Sequence, residues 1–267
     1  MIKINANKVK ELRNITGIGI MECKKALIET KGNIKLAIDY IRKYSKIQSI
    51  KKSSFITKEG FIIDYINNDY GILLEINCQT DFVAKDNNLN NFAKNIIKYS
   101  FEKKITNLTK IKNIFKEKRI QLINIMKENI IIRRLGVIKG NFIGTYLHHT
   151  KRIGVIVQSD IDNPAAIKKI AMHIAVLKPQ YISKKDISKK IIKDEYTLQM
   201  EIAKQFKKPF NIIEKIVQGR VNKFINNITL INQQFLFDTN KTVLQFLDEN
   251  HIIISKFIRF ELGEKLL

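Results

Sequence analysis

The chain has no tryptophan and only three prolines, two cysteines and four histidines in 267 residues. Cys23 and Cys78 lie far apart among apolar neighbours, so we expect two buried, reduced thiols, with a disulfide as the alternative. Neither cysteine has a metal-type spacing to a histidine, and the histidines form no zinc-binding motif. The sequence therefore predicts no metal site and no cofactor.

Long apolar runs are also absent. No stretch approaches the roughly 18–20 residues that a membrane-spanning helix needs. Residues 1–8 are too polar for a secretion signal, and they lack the arginines of a mitochondrial leader. We therefore expect a cytoplasmic protein without a membrane partner.

Acidic residues are scarce relative to basic ones: 25 aspartates and glutamates stand against 48 lysines and arginines, for a net charge of +23. One interpretation is a polyanionic partner such as RNA or DNA. The other is compositional drift in an A/T-rich genome, because lysine, isoleucine and asparagine are used heavily and the lysines are spread along the chain. Hydrophobic residues make up 45% of the sequence, which is enough for a folded core.

The first part of the chain has helical patterning. Apolar residues recur at helical spacing within residues 8–44, and glycine-containing breaks at 16–19 and 31–33 divide this stretch into three short predicted helices. The polar, basic segment 45–54 is typical of a linker.

Beyond residue 54 the pattern alternates between strands and helices, which predicts an α+β fold. Asn67-Asn68-Asp69 is expected to turn between the first two strands, and Lys207-Lys208-Pro209 to separate the two helices of a hairpin. The predicted strands are 55–64, 70–78, 130–137, 142–147, 153–158, 228–237 and 252–262. The predicted helices are 89–99, 111–128, 165–177, 186–206, 210–224 and 242–250.

The order of these elements predicts a division of the chain into four parts. They are a helical domain with its linker (1–54), a first core subdomain (55–140), a second core subdomain (141–185 and 228–267) and an inserted antiparallel helical hairpin (186–227).

The segment Thr80-Asp81-Phe82-Val83 follows the strand at 70–78 and joins an acid to a large aromatic ring. Thr80 or Asp81 could cap the next helix while Phe82 and Val83 turn into the core. Alternatively, the acid and the ring contact a partner. No second carboxylate, histidine or lysine is placed to share proton transfer with Asp81, so the sequence does not predict an enzyme.

Other residues also leave alternatives open. Ile20 and Met21 leave the glycine turn at 16–19, where either core packing or a partner contact fits. His148 and His149 follow a predicted strand, and they either lie in a solvated loop or contact a partner. His173 is expected to pack within its helix.

Two long motifs resemble the translation elongation factor Ts family. The first is Val9-Lys10-Glu11-Leu12-Arg13 with Thr16-Gly17 and the run from Met21 to Leu27; the second runs from Glu75 to Lys85. Shorter echoes follow in the family's order over nearly the whole chain, including Arg133-Arg134, Gly219-Arg220 and the run from Phe257 to Glu261.

The resemblance implies an architecture and a function. The N-terminal helices are expected to be similar to a ubiquitin-associated module, and the hairpin to be of the type that some members use for dimerisation. The family is the guanine-nucleotide exchange factor of elongation factor Tu, the GTPase that carries aminoacyl-tRNA. The resemblance thus implies elongation factor Tu as partner, in its GDP-bound and nucleotide-free forms, and allows a homodimer or a two-to-two complex; it implies no specific nucleic acid.

The resemblance also assigns roles to residues. Displacement of the GTPase's magnesium ion maps to Thr80, Asp81, Phe82 and Val83. Partner binding maps to Arg13, Ile20, Met21 and His148, with His149 as a rival to His148 because the local spacing is one residue longer. The alternative function, a basic RNA-binding protein of the translation apparatus, rests on the charge alone.

Overall fold

A computed structural model of the protein describes residues 5–67, 69–206 and 209–265. The predicted turn residue Asn68 and the predicted break residues Lys207 and Lys208 lie outside these ranges. Within them, no helix combines the length and the apolar character that crossing a membrane requires.

The N-terminal part folds into three helices, as predicted: α1 (Ala6–Thr16), α2 (Ile20–Glu29) and α3 (Ile34–Lys52). Gly17 ends α1 in the left-handed conformation at a φ of 68°, and its N–H donates to the carbonyl of Arg13 at 2.7 Å. The helices bury a small apolar core between them, which includes Leu12, Cys23 and Leu27. Similarity to a ubiquitin-associated module stays a prediction.

The first half of the core is a three-stranded antiparallel sheet of β1 (Glu59–Asn67), β2 (Tyr70–Cys78) and β3 (Ile131–Lys139). The bounds predicted for β2 are confirmed. This strand lies in the centre of the sheet, and every one of its residues is buried. The chain between β2 and β3 forms α4 (Asp81–Ala84), α5 (Asn87–Glu102), α6 (Leu108–Ile114) and α7 (Lys116–Met126).

The second half is a three-stranded sheet in the order β4 (Ile143–Leu147), β5 (Ile153–Ser159) and β8 (Ile254–Glu261). Between β5 and β8 lie α8 (Pro164–Leu177), α9 (Lys189–Lys204), α10 (Phe210–Ile228), the small hairpin of β6 (Gln234–Phe235) and β7 (Asp238–Thr242), and α11 (Val243–Glu249).

The two sheets pack face to face. Their shared interior is apolar, and Gly154 of β5 permits the close approach because a Cβ there would meet Ile62 of β1 at 2.8 Å. The outer face of the first sheet packs on α5 and its neighbours, and that of the second packs on α8. The buried side chains of the interface are Ile62, Leu73, Ile138, Ile143, Ile156 and Phe260. The resulting layers are helix, sheet, sheet and helix, which confirms the predicted α+β class.

Helices α9 and α10 pack on each other around a small core of their own. The end of α10 returns to the segment that precedes α9, since the backbone N–H groups of Gln180 and Tyr181 both donate to the carbonyl of Ile228. The guanidinium of Arg220 also reaches the side chain of Gln199 at 3.4 Å. These contacts confirm the antiparallel hairpin, while its use in dimerisation and the fourfold division of the chain stay predictions.

The linker predicted at 45–54 is wrong in its first part, because α3 continues to Lys52. Ser45 and Ser49 are buried, and the side-chain amide of Asn124 on α7 donates to the carbonyl of Ser45 at 3.3 Å. Small serines let α3 approach α7 closely, so polar composition here marks a helix contact and not a flexible connection.

Two other element predictions are corrected. The helix predicted at 111–128 divides at Phe115, whose buried ring packs edge-on against Phe92 and Tyr99. The strand predicted at 228–237 is a short 3-10 turn followed by the two-residue β6. Its apolar residues Leu230 and Phe235 fill the core of the second half from this irregular backbone, which the alternation of residue types does not distinguish from a strand.

Candidate functional site

The segment Thr80-Asp81-Phe82-Val83 forms a single helical turn at the end of the central strand β2. The hydroxyl of Thr80 accepts from the backbone N–H of Val83 at 3.4 Å and so caps α4. Val83 is half-buried and packs against the core of the first half. The ring of Phe82 points outward and is 82% exposed.

The sequence left open whether this segment packs into the core or contacts a partner, and the structure agrees with each interpretation for different residues. Thr80 is the helix cap and Val83 turns inward, as the packing interpretation expected. Phe82 does not follow Val83, because in so short a turn the two neighbouring side chains point in different directions. Among the described residues, Phe82 is the most exposed large apolar side chain.

The turn is held by Glu128, a residue that the sequence did not single out. Its carboxylate accepts hydrogen bonds from the backbone N–H groups of Gln79 and Thr80, both at 3.0 Å, and from the hydroxyl of Thr80 at 2.6 Å. In the sequence, the contact is indicated by nothing more than three consecutive polar residues, Lys127-Glu128-Asn129, between a helix and a strand.

Asp81 lies in solvent beside Lys85, one helical turn later. Their charged atoms are 2.7 Å apart. The hydrogen bond from Lys85 lowers the pKa of the Asp81 carboxyl, which keeps that group ionised. Asp81 is therefore an ionised carboxylate paired with an ammonium group, one residue before the exposed Phe82.

A groove beside the turn brings Asp81 together with His149. It is also lined by Lys85, Lys151 and Arg152. His149 is exposed, whereas His148 is half-buried and its Nδ1 lies 2.8 Å from the hydroxyl of Thr150. Of the two histidines that the resemblance offered, His149 lines this groove with Asp81, and the ring of His148 lies 4.2 Å from the ring of His149.

The N-terminal helices carry a second exposed surface. Arg13 and Ile20 line one shallow groove, whose rim includes Lys10 and Lys24. Met21, at the start of α2, is 73% exposed, while Ile18 of the glycine turn is buried. Ile20 and Met21 therefore lie outside the core, which leaves them available to a partner.

The remaining chemically notable residues are structural. Cys23 and Cys78 are unpaired and buried, and burial raises the pKa of the Cys78 thiol to about 12. His173 is buried as predicted, and burial lowers its pKa. In the described part of the chain, no group of three histidine, cysteine or acidic side chains could hold a metal ion.

Comparison with known proteins gives one consistent family. The family model described as "Elongation factor TS" matches residues 79–264. Elongation factor Ts of Baumannia cicadellinicola is 46% identical over 268 residues, covering 99% of this chain and 95% of the relative. The Elongation factor Ts of Buchnera aphidicola strain 5A is 45% identical over 261 residues, covering 98% and 97%. That of Cronobacter sakazakii is 43% identical over 264 residues, covering 99% and 93%.

Proposed function

Because this chain belongs to the elongation factor Ts family, and is therefore a translation elongation factor, we propose that it is the guanine-nucleotide exchange factor of elongation factor Tu. It binds the GDP form of that GTPase, disturbs the site of the magnesium ion and the phosphates, and promotes GDP release so that GTP can bind. The observation that carries the proposal is the exposed ring of Phe82 beside the ionised carboxylate of Asp81 on a hydrogen-bonded turn.

Exchange requires no covalent step, only a difference in binding. A factor that binds the empty GTPase more tightly than the loaded one weakens GDP binding by the same ratio, since the two equilibria are linked. A thousandfold weakening corresponds to about 4 kcal/mol of differential binding free energy. Burial of one phenylalanine side chain contributes about 1.5–3 kcal/mol, so Phe82 can supply a large part of the difference.

In this mechanism Phe82 inserts between elements of the GTPase, and Asp81 disturbs the groups around the magnesium ion. The turn is already ordered by its cap and by Glu128 before it meets the partner. Little conformational entropy is then lost on binding, and more of the contact free energy acts on the nucleotide site.

The N-terminal surface supplies a second contact. Arg13, Ile20 and Met21 offer a cation and two apolar side chains on the first two helices. His149 extends the contact around Asp81 in the adjoining groove. We assign partner binding to His149 in preference to His148, because His148 is partly enclosed by its neighbours Tyr146 and Thr150.

A stopped-flow measurement of fluorescent GDP leaving elongation factor Tu tests the proposal. Labelled complex is mixed with excess unlabelled GDP and increasing amounts of this protein. The release rate should rise with protein concentration to a plateau. Release that is equally slow with and without the protein would refute the function.

A further inference from the structure

The segment Lys127-Glu128-Asn129, here named the junction segment, connects α7 to β3 and contacts three other parts of the chain. It lies between the N-terminal helices and the turn that carries Phe82. Each of its residues makes a different long-range contact, although the segment has no regular secondary structure.

The residues on both sides of Glu128 hold the junction segment to the N-terminal part. The ammonium group of Lys127 forms an ion pair with Glu22, the residue after Met21 on α2. The buried side-chain amide of Asn129 donates to the carbonyls of Ser53 and Phe55, at 3.4 and 3.0 Å, just beyond the end of α3.

The contacts of Lys127 and Asn129 thus fix the backbone on both sides of Glu128, while the carboxylate of Glu128 binds the segment that follows β2. It is half-buried, and all three of its hydrogen bonds go to Gln79 and Thr80, which lead directly into α4. Hydrogen bonds to an ionised carboxylate are stronger than those between neutral groups. The start of the Phe82 turn is thus fixed by a residue 48 positions further along the chain.

We propose that Glu128 is a positioning residue for nucleotide exchange: it holds the turn so that Phe82 projects in the orientation needed to open the guanine-nucleotide site. This inference rests on the proposed exchange function. Glu128 itself need not touch the GTPase, because it acts through the backbone of Gln79 and Thr80.

The kinetic test uses Glu128→Ala with the factor in excess over GDP-loaded elongation factor Tu. The saturating rate of GDP release should fall about tenfold, while the concentration for half-saturation stays within about twofold. Such a split is expected because the N-terminal surface still binds while the Phe82 turn loses its fixed orientation. General loss of folded protein would instead raise the half-saturating concentration and leave the plateau unchanged.

Glu117→Ala is the matched control. Glu117 is another glutamate of this helical region, on α7, and its carboxylate lies 3.4 Å from Lys46 at an exposed position. It should leave the saturating rate at the wild-type value. A Glu128→Ala plateau equal to that of Glu117→Ala would overturn the positioning role.

A double variant tests whether Glu128 acts through Phe82. Once Phe82→Ala has been made, Glu128→Ala should slow release by less than about twofold more, because residues that act as a unit are not additive. If the double variant slowed GDP release by the product of the two single-variant factors, Glu128 and Phe82 would act independently and the proposal would be contradicted.

Amide hydrogen exchange of the protein alone separates this inference from the exchange function. Glu128→Ala should speed exchange at the amides of Gln79 and Thr80, and leave the amides of the central strand β2 protected. Unchanged protection at Gln79 and Thr80 would overturn the inference even if the wild-type protein accelerates GDP release. If protection changes as expected but the wild-type protein does not accelerate release, the exchange function fails and the positioning role in exchange fails with it.

Discussion

The two halves of the core share an architecture but bury their polar groups differently. Each half is a three-stranded antiparallel sheet with helices on its outer face. The first half buries a charge: the carboxylate of Glu75 on β2 lies between the guanidinium groups of Arg133 and Arg134. The second half buries the neutral pair His173 and Gln233, whose side chains are 2.9 Å apart.

The difference shows how each half is joined to the rest of the molecule. Arg134 also pairs with Glu264 at 2.6 Å, and the N–H of Gly263 donates to Glu75 at 3.3 Å, so the charged group of the first half anchors the segment that follows β8. Among the described residues, His173 forms hydrogen bonds within the second half, to Gln233 and to the N–H of Leu236. Charged groups therefore add a contact between the halves to their apolar interface, whereas the neutral pair orders one half.

The largest expected effect comes from removing that charge. Glu75→Ala leaves Arg133 and Arg134 without their buried partner, and should lower the free energy of unfolding by about 3–5 kcal/mol. Urea unfolding measures the loss. The control is Glu102→Ala, whose exposed carboxylate lies 3.8 Å from Lys98; it should change stability by less than about 0.5 kcal/mol. A similar small loss for Glu75→Ala would mean that this buried carboxylate does not stabilise the fold through Arg133 and Arg134.

The next prediction concerns function in the first half alone. Phe82→Ala should slow GDP release about tenfold or more, because the lost apolar burial is worth about 1.5–3 kcal/mol at the interface. Its stability should stay within about 0.5 kcal/mol of wild type, because the ring is already in solvent. Phe237→Ala, at a half-exposed phenylalanine of the second half, is the control and should leave release unchanged. Equal release by both variants would remove Phe82 from the mechanism.

The neutral pair of the second half predicts a pH dependence. Burial lowers the pKa of His173, so the unfolded chain binds a proton more readily than the folded one. Its contribution to stability is complete above the unfolded pKa of about 6.5 and is lost as the pH falls below that value. Urea unfolding between about pH 5 and pH 8 should show this decline. His173→Gln, which cannot titrate there, should have a flatter profile; parallel profiles would contradict the assignment.

The smallest effect is expected at the surface. Lys85→Ala removes the hydrogen bond that lowers the pKa of Asp81, so this pKa should rise towards its usual value. An NMR titration of the carboxyl carbon measures the shift. The urea midpoint should not change, because the pair is exposed. An unchanged Asp81 pKa would show that Lys85 does not hold this carboxylate in solution.

Elements with strong local patterns could be predicted from the sequence. The apolar run from Tyr70 to Cys78 gave β2 with correct bounds, because a fully buried central strand needs apolar residues on both faces. The glycine turn at 16–19 separated α1 from α2 because Gly17 takes a left-handed conformation that favours glycine.

Predictions failed where a distant contact overrode the local pattern. Residues 45–52 continue helix α3 because α7 packs against them. Residues 228–237 do not form a regular strand, because Leu230 and Phe235 are buried in the core of the second half from an irregular backbone. The hydrogen bonds between Thr80 and Glu128 join residues 48 positions apart, so the local sequence around either residue does not predict them.

The sequence by itself determined the family, the α+β class and the place of the acid–aromatic pair directly after a buried strand, since these follow from short-range patterns of residue type. Only the tertiary structure decided that Val83 faces the core while Phe82 faces solvent, and that His149 shares a surface with Asp81. The physical reason is that side-chain burial and long-range hydrogen bonds depend on which segments come into contact when the layers pack. A local pattern of residue types does not predict those contacts.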